Sequence, residues 1–414
     1  MLSPEPMLTD AEREAVHALL MQRRPRRVLE WGGGGSTLHW PALFPEIDWW
    51  TVEHNPQYYA ELQAQIPPNV TLRLLAFPAY HELNVEDVGR FDVIFVDGRQ
   101  RVACMAAARE LLAPGGIVLL HDASRTRYRP AWLYYHTAQE VVPPDPARGR
   151  DPRGLMLFAE PRIVTPRPGC GVVYMAWGTN ALYQTATSLR SLWAIAPELP
   201  ALVVGDTHVA AHFSTWSNVT ALALPLDPFD ERQACGHKFL AGRVKPWLHV
   251  LAPWERVLYV DADTQFVAHP RRGFDLLDTW DFVLAEARSG SVENSPFLKP
   301  ERQATTEWLG TGLHLYHNSG MLFWRRGPAV AGLMRLWSDE WLRYSDWDEQ
   351  IALLRALLRS EALFLTVPYT WNTLENATLL QHAYGTRIAR REESRAQRVA
   401  RGKARLTPAQ HPGG

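Results

Sequence analysis

A chain of 414 residues is longer than one typical domain core requires, so its length predicts two domains. Hydrophobic residues make up 46% and charged residues 21% of the chain, a balance that is ordinary for a globular protein and excludes a disordered one. Because 43 Lys and Arg residues face 44 Asp and Glu residues, the charge excludes a general attraction to nucleic acid or to an anionic membrane.

The cysteines and the hydropathy pattern predict a cytoplasmic location. Cys104, Cys170 and Cys235 form neither a CxxC pair nor an even set for disulfides, which favours a reducing compartment. No stretch approaches the ~18 consecutive apolar residues of a membrane span, and the N-terminus lacks the basic and apolar regions of a signal peptide. We therefore expect no membrane span.

The first predicted elements surround a glycine run. An amphipathic helix over Asp10–Arg23 precedes a short strand, Val28–Glu30, and a second helix starts within Ser36–Trp40. The glycines of Gly32–Gly35 fall in the turn between this strand and this helix. Glycines in such a turn let a ligand approach bare backbone N–H groups near a helix N-terminus, so the turn predicts a ligand site.

The glycine run does not fit a dinucleotide fingerprint. The pattern GxGxxG, started at Gly32 or Gly33, needs a third glycine at position 37 or 38, where the sequence has Thr37 and Leu38. This argues against a nicotinamide-dependent sugar-modifying domain, which stays open as an alternative. The next predicted strand ends in Glu53, about 20 residues after the first, where an acid can accept hydrogen bonds from a ribose.

Two later strands end in side chains suited to proton transfer. RFDVIFVDG predicts a buried strand ending at Asp97, and LLAPGGIVLLHDAS predicts one leading to His121 and Asp122. Each could act as the base for an acceptor hydroxyl. Alternatively, the aspartates cap turns and His121 packs in the core. Asp97 with Asp122 could instead bind a metal, although the sequence shows no third ligand.

These features, in this order, resemble class I S-adenosylmethionine-dependent methyltransferases over about residues 8–160. The resemblance implies that the first domain binds S-adenosylmethionine and methylates an oxygen atom, with Asp97 beside the methyl group. The residues that it assigns to the cofactor are Glu30, Gly32, Gly34 and Glu53. The domain could also bind cofactor or substrate without catalysis.

A stretch rich in Pro, Gly and Arg from Val142 to Gly171 marks the domain boundary. Its one apolar run, Leu155–Phe158, predicts the last strand of the first domain. We expect the chain to divide into a methyltransferase-like domain (1–161), a linker (162–169), a second domain (170–390) and a basic, solvated tail (391–414). An anion-binding arm is the alternative for the tail.

An Asp-x-Asp pair follows a buried strand in the second half. WLHVLAPWERVLYVDADTQF predicts a helix, a turn and an apolar strand, Arg256–Val260, which ends directly before Asp261 and Asp263. Ligands of open α/β sheets bind at the carboxyl ends of strands, so both carboxylates are expected in one cleft. Oxygen ligands suit Mg²⁺ or Mn²⁺, whose remaining positions diphosphate oxygens can fill. The pair therefore predicts a divalent-cation site.

This segment and its flanks resemble GT-A glycosyltransferases, particularly the glycogenin-like and galactosyltransferase-like families. The resemblance implies a nucleotide-sugar donor, a UDP-sugar foremost, a glycan or glycoprotein acceptor, and retention of anomeric configuration. The residues that it places around the donor are Ala176, Trp177 and Gly178 at the base and ribose, Tyr183 at the start of the next helix, Lys245 near the phosphates, and Asn318, Ser319 and Gly320 at the sugar.

The last two motifs of this resemblance concern catalysis and the metal. YSDWDEQIALLRAL resembles the helix start that faces the anomeric carbon, which implies catalytic roles for Asp348, Glu349 and Gln350. Alternatively, Asp346 or Asp348 merely caps the helix. His382, which follows a Pro…Trp-Asn element, would complete the metal site by the same resemblance, or would be structural.

Together the two halves predict an α/β protein with two Rossmann-like domains, a bifunctional enzyme that glycosylates and methylates a glycan. The alternative is a glycosyltransferase whose first domain only binds cofactor or substrate. Residues 285–314, where the acceptor would bind, contain no motif that identifies it. The oligomeric state is not predicted.

Overall fold

The computed structural model describes residues 3–77, 79–145, 147, 153–224, 241–295, 299–344 and 349–383. The chain forms two compact units, Met1–Val164 and Thr165–Gly414. Each unit has its own sheet of mainly parallel strands with helices between them, so the predicted fold class is confirmed.

The first unit alternates strands and helices along the chain. Its α-helices are α1 (Asp10–Arg23), α2 (Gly35–Leu43), α3 (Pro56–Gln63), α4 (Val85–Val88) and α5 (Arg101–Leu111). Its strands are β1 (Arg27–Trp31), β2 (Asp48–Glu53), β3 (Val70–Leu74), β4 (Phe91–Val96), β5 (Leu112–His121), β6 (Tyr135–Val142) and β7 (Leu155–Pro161). Short 3-10 helices span Ala79–His81 and Thr126–Tyr134.

Within the described residues, these strands form one sheet in the order β3-β2-β1-β4-β5-β7-β6. Strands β1 to β5 run parallel, and β7 is antiparallel to both of its neighbours. The order reverses between β1 and β4, so the loops that follow these strands open a crevice at the carboxyl edge of the sheet. An antiparallel strand inserted between β5 and β6 is the arrangement of the class I methyltransferase fold.

Helix α1 starts where its sequence provides a capping box. The Glu12 backbone N–H donates to Thr9 Oγ1 at 3.2 Å, and the Thr9 N–H donates to the Glu12 carboxylate at 2.8 Å. The buried face of the helix, with Val16 and Leu20, packs against the apolar side of the sheet. Each such fully buried side chain contributes ~1.5–3 kcal/mol.

The second unit has the same alternation with longer strands at its centre. Its α-helices are α6 (Gly178–Ile195), α7 (Thr207–Phe213), α8 (Leu248–Leu251), α9 (Arg271–Leu276), α10 (Lys299–Leu309), α11 (Pro328–Tyr344) and α12 (Glu349–Arg359). Its strands are β8 (Arg167–Ala176), β9 (Ala201–Gly205), β10 (Val219–Ala223), β11 (Trp254–Val260), β12 (Thr264–Phe266), β13 (Phe282–Ser291), β14 (Leu315–Arg325), β15 (Phe364–Val367), β16 (Asn372–Thr373) and β17 (Leu380–His382). The 3-10 helices of this unit span Ala241–Trp247 and Tyr369–Trp371.

In the part of the second unit that the structure describes, the main sheet has the order β10-β9-β8-β11-β14-β13-β15. Strand β11 lies between β8, which is parallel to it, and β14, which is antiparallel. Strand β8 begins at Arg167, inside the segment 162–169 assigned to a linker, because the Arg167 N–H donates to Pro253 O at 2.7 Å and the strand pairs with β11 from there.

A small sheet, β12-β17-β16, covers the end of β11. Its register pairs Thr264 with His382, so the last strand returns to the residues that follow β11. The Ala383 N–H donates to the Asp263 backbone oxygen at 3.0 Å and continues this pairing. Residues far apart in sequence are therefore brought together at the carboxyl edge of the main sheet.

Helix α12 is held by a buried cation. The Arg355 guanidinium lies 2.6 Å from Glu301 Oε1 on α10 and 2.7 Å from Glu340 Oε2 on α11, and all three side chains are buried. Removing one partner of such a group leaves an uncompensated buried charge, so it fixes the three helices to one another.

Among the described residues, no helix has both the length and the apolar character that crossing a bilayer requires.

Candidate functional site

Three side chains that could ligate a metal converge at the end of β11. Asp261 and Asp263 follow the strand directly, and His382 ends β17. The ligand atoms of the three residues lie within 4.8 Å of one another. His382 Nε2 is 3.1 Å from Asp263 Oδ1 and 3.6 Å from Asp261 Oδ2. Two carboxylates and one imidazole are a donor set suited to a divalent ion.

A hydrogen bond on the side of the ring away from the carboxylates sets the orientation of His382. Its Nδ1 lies 3.1 Å from Asn372 Oδ1, so Nε2 is the atom directed at the carboxylates. Burial opposes the charged form of this imidazole, but the hydrogen bond and charge of Asp263 and the charge of Asp261 raise its pKa. The Asn372 amide also donates to Asn318 Oδ1 at 2.8 Å, which links the histidine to the predicted sugar pocket.

Gly320 on β14 provides the space at this cluster. A Cβ at this position would lie 2.5 Å from His382 Cε1, 2.7 Å from Asp261 Oδ2 and 2.9 Å from Asn318 Oδ1. Contacts under 3.0 Å force the neighbouring atoms to shift, so any larger residue would push these side chains apart. The three candidate ligands thus fit a metal ion around a gap that only glycine leaves open.

Lys245 approaches the cluster from the 3-10 helix before β11. Its buried Nζ lies 3.2 Å from Asp261 Oδ1 and 3.1 Å from Glu349 Oε1. Burial disfavours the ammonium, but the charges of Asp261 and Glu349 outweigh it and raise the pKa of Lys245. The Tyr259 hydroxyl also donates to Asp261 Oδ1, at 2.5 Å, so the other oxygen of Asp261 is the one that faces His382.

The middle of β14 and the start of α12 meet beside Lys245. Ser319 Oγ donates to Glu349 Oε1 at 2.8 Å, and the Gly320 N–H donates to Asn318 Oδ1 at 2.8 Å. The Ser319 N–H lies 3.4 Å from Gln350 Oε1. The structure therefore brings these predicted residues together, whereas Asp348 and Asp346 lie outside the described residues.

The residues predicted at the nucleotide follow β8, the parallel neighbour of β11. Ala176 is buried at the end of the strand, and Trp177 precedes α6. Helix α6 begins at Gly178, which corrects the expectation that Tyr183 starts it; Tyr183 lies in the second turn and is 58% exposed. Gly178 has φ +79°, and its N–H donates to Asp206 Oδ2 at 2.6 Å, an acid that the sequence analysis missed.

The first unit has a cleft of about 500 Å³ at the carboxyl edge of its sheet. Gly32, Gly34, Glu53, Asp97 and His121 line this cleft. Buried Glu53 accepts hydrogen bonds from the next two backbone N–H groups, each at 2.8 Å. The structure thus groups most of the residues predicted for the cofactor around one cavity.

Glu30 lies beneath the glycine turn instead, and it is fully buried. Its carboxylate accepts hydrogen bonds from Ser36 Oγ, from Thr37 Oγ1 at 2.7 Å, and from Trp49 Nε1 and Thr51 Oγ1, each at 3.2 Å. Burial outweighs these hydrogen bonds and raises the pKa of Glu30 to about 7. Its contacts hold the start of α2 against β1 and β2.

The glycines of the turn differ in what they permit. Gly32 has φ +103°, and a Cβ there would lie 2.5 Å from the backbone of Gly98. Only glycine combines this conformation with this approach. By contrast, a Cβ on Gly34 would meet only the Tyr58 hydroxyl, at 3.6 Å. Gly32 is therefore required by the packing of the β1 and β4 loops, whereas Gly34 is not.

A charged pair lies at the ends of β4 and β5. His121 Nδ1 is 2.7 Å from Asp97 Oδ1, and its Nε2 is 3.4 Å from Glu12 Oε1. Burial opposes the imidazolium, but hydrogen bonds to Asp97 and Glu12 raise the pKa of His121 to about 9. These partners favour the charged form of the imidazole. Glu12, missed by the sequence analysis, is the buried capping-box acid of α1.

Asp122 completes a second group of possible metal ligands with Asp97 and His121. His121 is the third possible ligand, which the sequence alone did not group with the two aspartates. Arg101, however, lies 3.0 Å from Asp97 Oδ1 and 3.2 Å from Asp122 Oδ2. A guanidinium thus supplies the positive charge that a metal would bring, and the residues fit a metal less well than those of the second unit.

Strand order, glycine turn and crevice give the first unit the arrangement of a methyltransferase-type fold. The second unit is an α/β unit whose candidate metal ligands lie at the carboxyl end of a central strand, as the resemblance to GT-A glycosyltransferases predicts. No protein-family model matches it.

Comparison with known proteins gives one sequence relative and several structures with a weaker similarity. The O-methyltransferase ankF of Aspergillus thermomutatus is 35% identical over 115 residues, which cover 25% of this chain and 48% of that protein. The chain thus spans about half the length of this relative. A structure of galactosyltransferase LgtC with donor and acceptor sugar analogues is 15% identical, covers 58% of this chain and 98% of its own, and has a TM-score of 0.38. Precorrin-6y C5,15-methyltransferase from Geobacter metallireducens is 18% identical, with 38% of this chain and 92% of that one covered, at a TM-score of 0.28.

Proposed function

We propose that the second unit transfers a sugar from a nucleotide-sugar donor, a UDP-sugar foremost, to a glycan or glycoprotein. The observation that carries this proposal is the convergence of Asp261, Asp263 and His382 around the gap at Gly320, with Lys245 beside them. These three side chains would hold Mn²⁺ or Mg²⁺. When bound, such an ion supplies Lewis-acid stabilisation of the diphosphate leaving group.

The surrounding side chains have roles that follow from their charge. Lys245, fixed between two carboxylates, adds a positive charge where the diphosphate charge develops. The bond between the anomeric carbon and the diphosphate oxygen breaks with its electron pair on that oxygen, and the acceptor oxygen bonds to the carbon. The acceptor proton passes to the departing diphosphate, while Glu349 stabilises positive charge on the sugar. Retention remains the stereochemical expectation.

The test uses the full chain with Mn²⁺ and a panel of nucleotide sugars. Wild type is expected to hydrolyse or transfer at least one sugar, and only with the ion. Asp263→Asn removes a candidate ligand and is expected to lower the rate at least about a hundredfold. Asp278→Asn is the matched control, because this acid pairs with Arg256 at 2.6 Å and its side chain is 65% exposed. No turnover by wild type, or full activity of Asp263→Asn, would contradict the proposal.

For the first unit we infer transfer of a methyl group from S-adenosylmethionine to a hydroxyl of a glycan. The cofactor would lie in the cleft between the glycine turn and Glu53. The methyl–sulfur bond breaks with its electron pair on sulfur, and the acceptor oxygen bonds to the methyl carbon. The hydroxyl proton passes to Asp97, which lines the cleft and is oriented by His121 Nδ1 at 2.7 Å.

Calorimetry with S-adenosylhomocysteine and a methylation assay with labelled S-adenosylmethionine test this role. Asp97→Asn is expected to keep cofactor binding and lose turnover, whereas Asp87→Asn, an exposed acid on α4, retains both. Binding without turnover by wild type would favour the non-catalytic alternative. Binding of NADH in place of S-adenosylhomocysteine would favour the nicotinamide alternative.

A further inference from the structure

The cleft of the first unit is rich in arginine at one end. Its lining arginines come from the loops after β4 and β5 and from the connection before β7, and they are Arg99, Arg101, Arg125, Arg127 and Arg153. Glu53, the last residue of β2, lies at the other end, because the sheet order places β2 and β5 on opposite sides of β1 and β4. The cationic side chains of the cleft therefore lie at the end opposite Glu53, where Asp97 and Asp122 also line it.

Some of these arginines already have acidic partners. Arg101 is paired with Asp97 and Asp122, and Arg125 NH2 lies 3.2 Å from Asp122 Oδ2. Arg99 and Arg127 are exposed, and in the part of the chain that the structure describes neither forms an ion pair. Two guanidinium groups at this end thus remain available to a ligand.

Aromatic stacking orients one of them. Two guanidinium groups lie over the buried Tyr128 ring, that of Arg101 at 4.9 Å and that of Arg127 at 4.8 Å from its centroid. A guanidinium stacked on a ring keeps its edge N–H groups free to donate. Those donors match the two oxygens of a carboxylate or phosphate in a bidentate arrangement. The stack therefore presents Arg127 as an oxyanion-binding group at the cleft.

We propose that the methyl acceptor of this unit carries a carboxylate or phosphate group that Arg99 and Arg127 bind while a hydroxyl of the same molecule faces Asp97. This inference rests on the proposed methyl transfer and names its substrate class, an anionic sugar. The oxyanion is an anchor and is not itself methylated. The sulfur–methyl bond breaks, the oxygen–methyl bond forms, and the hydroxyl proton goes to Asp97 as before.

The experiment is calorimetry on the full chain saturated with S-adenosylhomocysteine, with glucuronate, glucose 6-phosphate and glucose as ligands. At least one anionic sugar is expected to bind about tenfold or more tightly than glucose. Tighter binding of glucuronate identifies a carboxylate as the anchor, and tighter binding of glucose 6-phosphate identifies a phosphate. The double variant Arg99→Gln, Arg127→Gln is expected to lose that preference. Arg73→Gln is the matched control, because this exposed arginine lies 5.3 Å from the Trp50 ring and outside the cleft lining.

Equal binding of glucose and the anionic sugars, or an unchanged preference in the double variant, would overturn the inference. Loss of S-adenosylhomocysteine binding in the double variant, with the sugar preference kept, would also overturn it, since the arginines would then hold the carboxylate of the cofactor. If wild type does not bind S-adenosylhomocysteine at all, the methyl-transfer function itself fails. Cofactor binding without a preference for anionic sugars refutes the substrate class alone.

Discussion

Replacing Gly320 by alanine perturbs the candidate metal site without changing any ligand. The new Cβ would lie 2.5, 2.7 and 2.9 Å from atoms of His382, Asp261 and Asn318, which falls short of an ordinary 3.4 Å contact by about 0.5 to 0.9 Å. Ligand positions in a metal site tolerate about 0.2 Å. Displacements of this size are therefore expected to weaken Mn²⁺ binding about 10- to 100-fold. The steric strain itself is expected to cost about 1–3 kcal/mol of stability.

Calorimetric titration of Mn²⁺ into the metal-free chain measures this effect, and urea denaturation measures the loss of stability. Gly332→Ala is the matched control, because a Cβ on Gly332 in α11 meets nothing within 4 Å. That variant is expected to bind Mn²⁺ like wild type and to gain about 0.5–1 kcal/mol from its higher helix propensity. If Gly320→Ala binds Mn²⁺ as tightly as wild type, the gap at Gly320 does not hold the ion and the site has been assigned wrongly.

Three further predictions concern the frames around the two sites. Arg355→Met is expected to lower the free energy of unfolding of the second unit by about 3–5 kcal/mol in urea denaturation. Arg359→Met is the control, because the Arg359 side chain is 36% exposed, and it is expected to change this free energy by less than ~1 kcal/mol. Equal effects of the two variants would contradict a buried ion-pair network around Arg355. The pKa of Glu30 rises from 4.5 to about 7 on folding, so the stability that this group contributes is complete below pH 4.5 and is lost as the pH rises through 7. In urea denaturation, the free energy of unfolding of wild type should therefore fall by about 3 kcal/mol more than that of Glu30→Gln between pH 4.5 and pH 8. The same pH dependence of stability in both proteins would refute this. Gly32→Ala is expected to abolish S-adenosylhomocysteine binding in calorimetry while Gly34→Ala retains it, and the opposite order would show that the close approach to Gly98 is not the constraint.

Local sequence patterns were sufficient to predict the strands that position Asp97 and Asp261. The apolar runs before Asp97 and Asp261 identify buried strands, and the carboxyl end of a parallel strand is where a doubly wound sheet binds its ligand. The capping box of Thr9 and Glu12 is likewise legible in the order of the residues. Each of these signals spans only a few neighbouring residues.

Contacts between segments that are distant in sequence could not be predicted from local patterns. The pairing of Thr264 with His382 depends on how β17 returns to β12, and no local pattern encodes that register. The resemblance to a family supplied His382, whereas nothing supplied the contact of Glu12 with His121 across the first unit. Glu30 illustrates a different limit, because its motif predicted a cofactor contact while its burial beneath the turn emerges only from three-dimensional packing.

The position of His382 on the last described strand has a consequence for biosynthesis. During translation the ribosome releases Asp261 and Asp263 well before it releases the histidine, so the nascent chain carries an incomplete set of donors for most of the synthesis of this unit. On the proposed metal site, capture of a cation by all three side chains requires that β17 has docked on β12. Loading with metal would then be a late maturation event that reports completion of the folded unit.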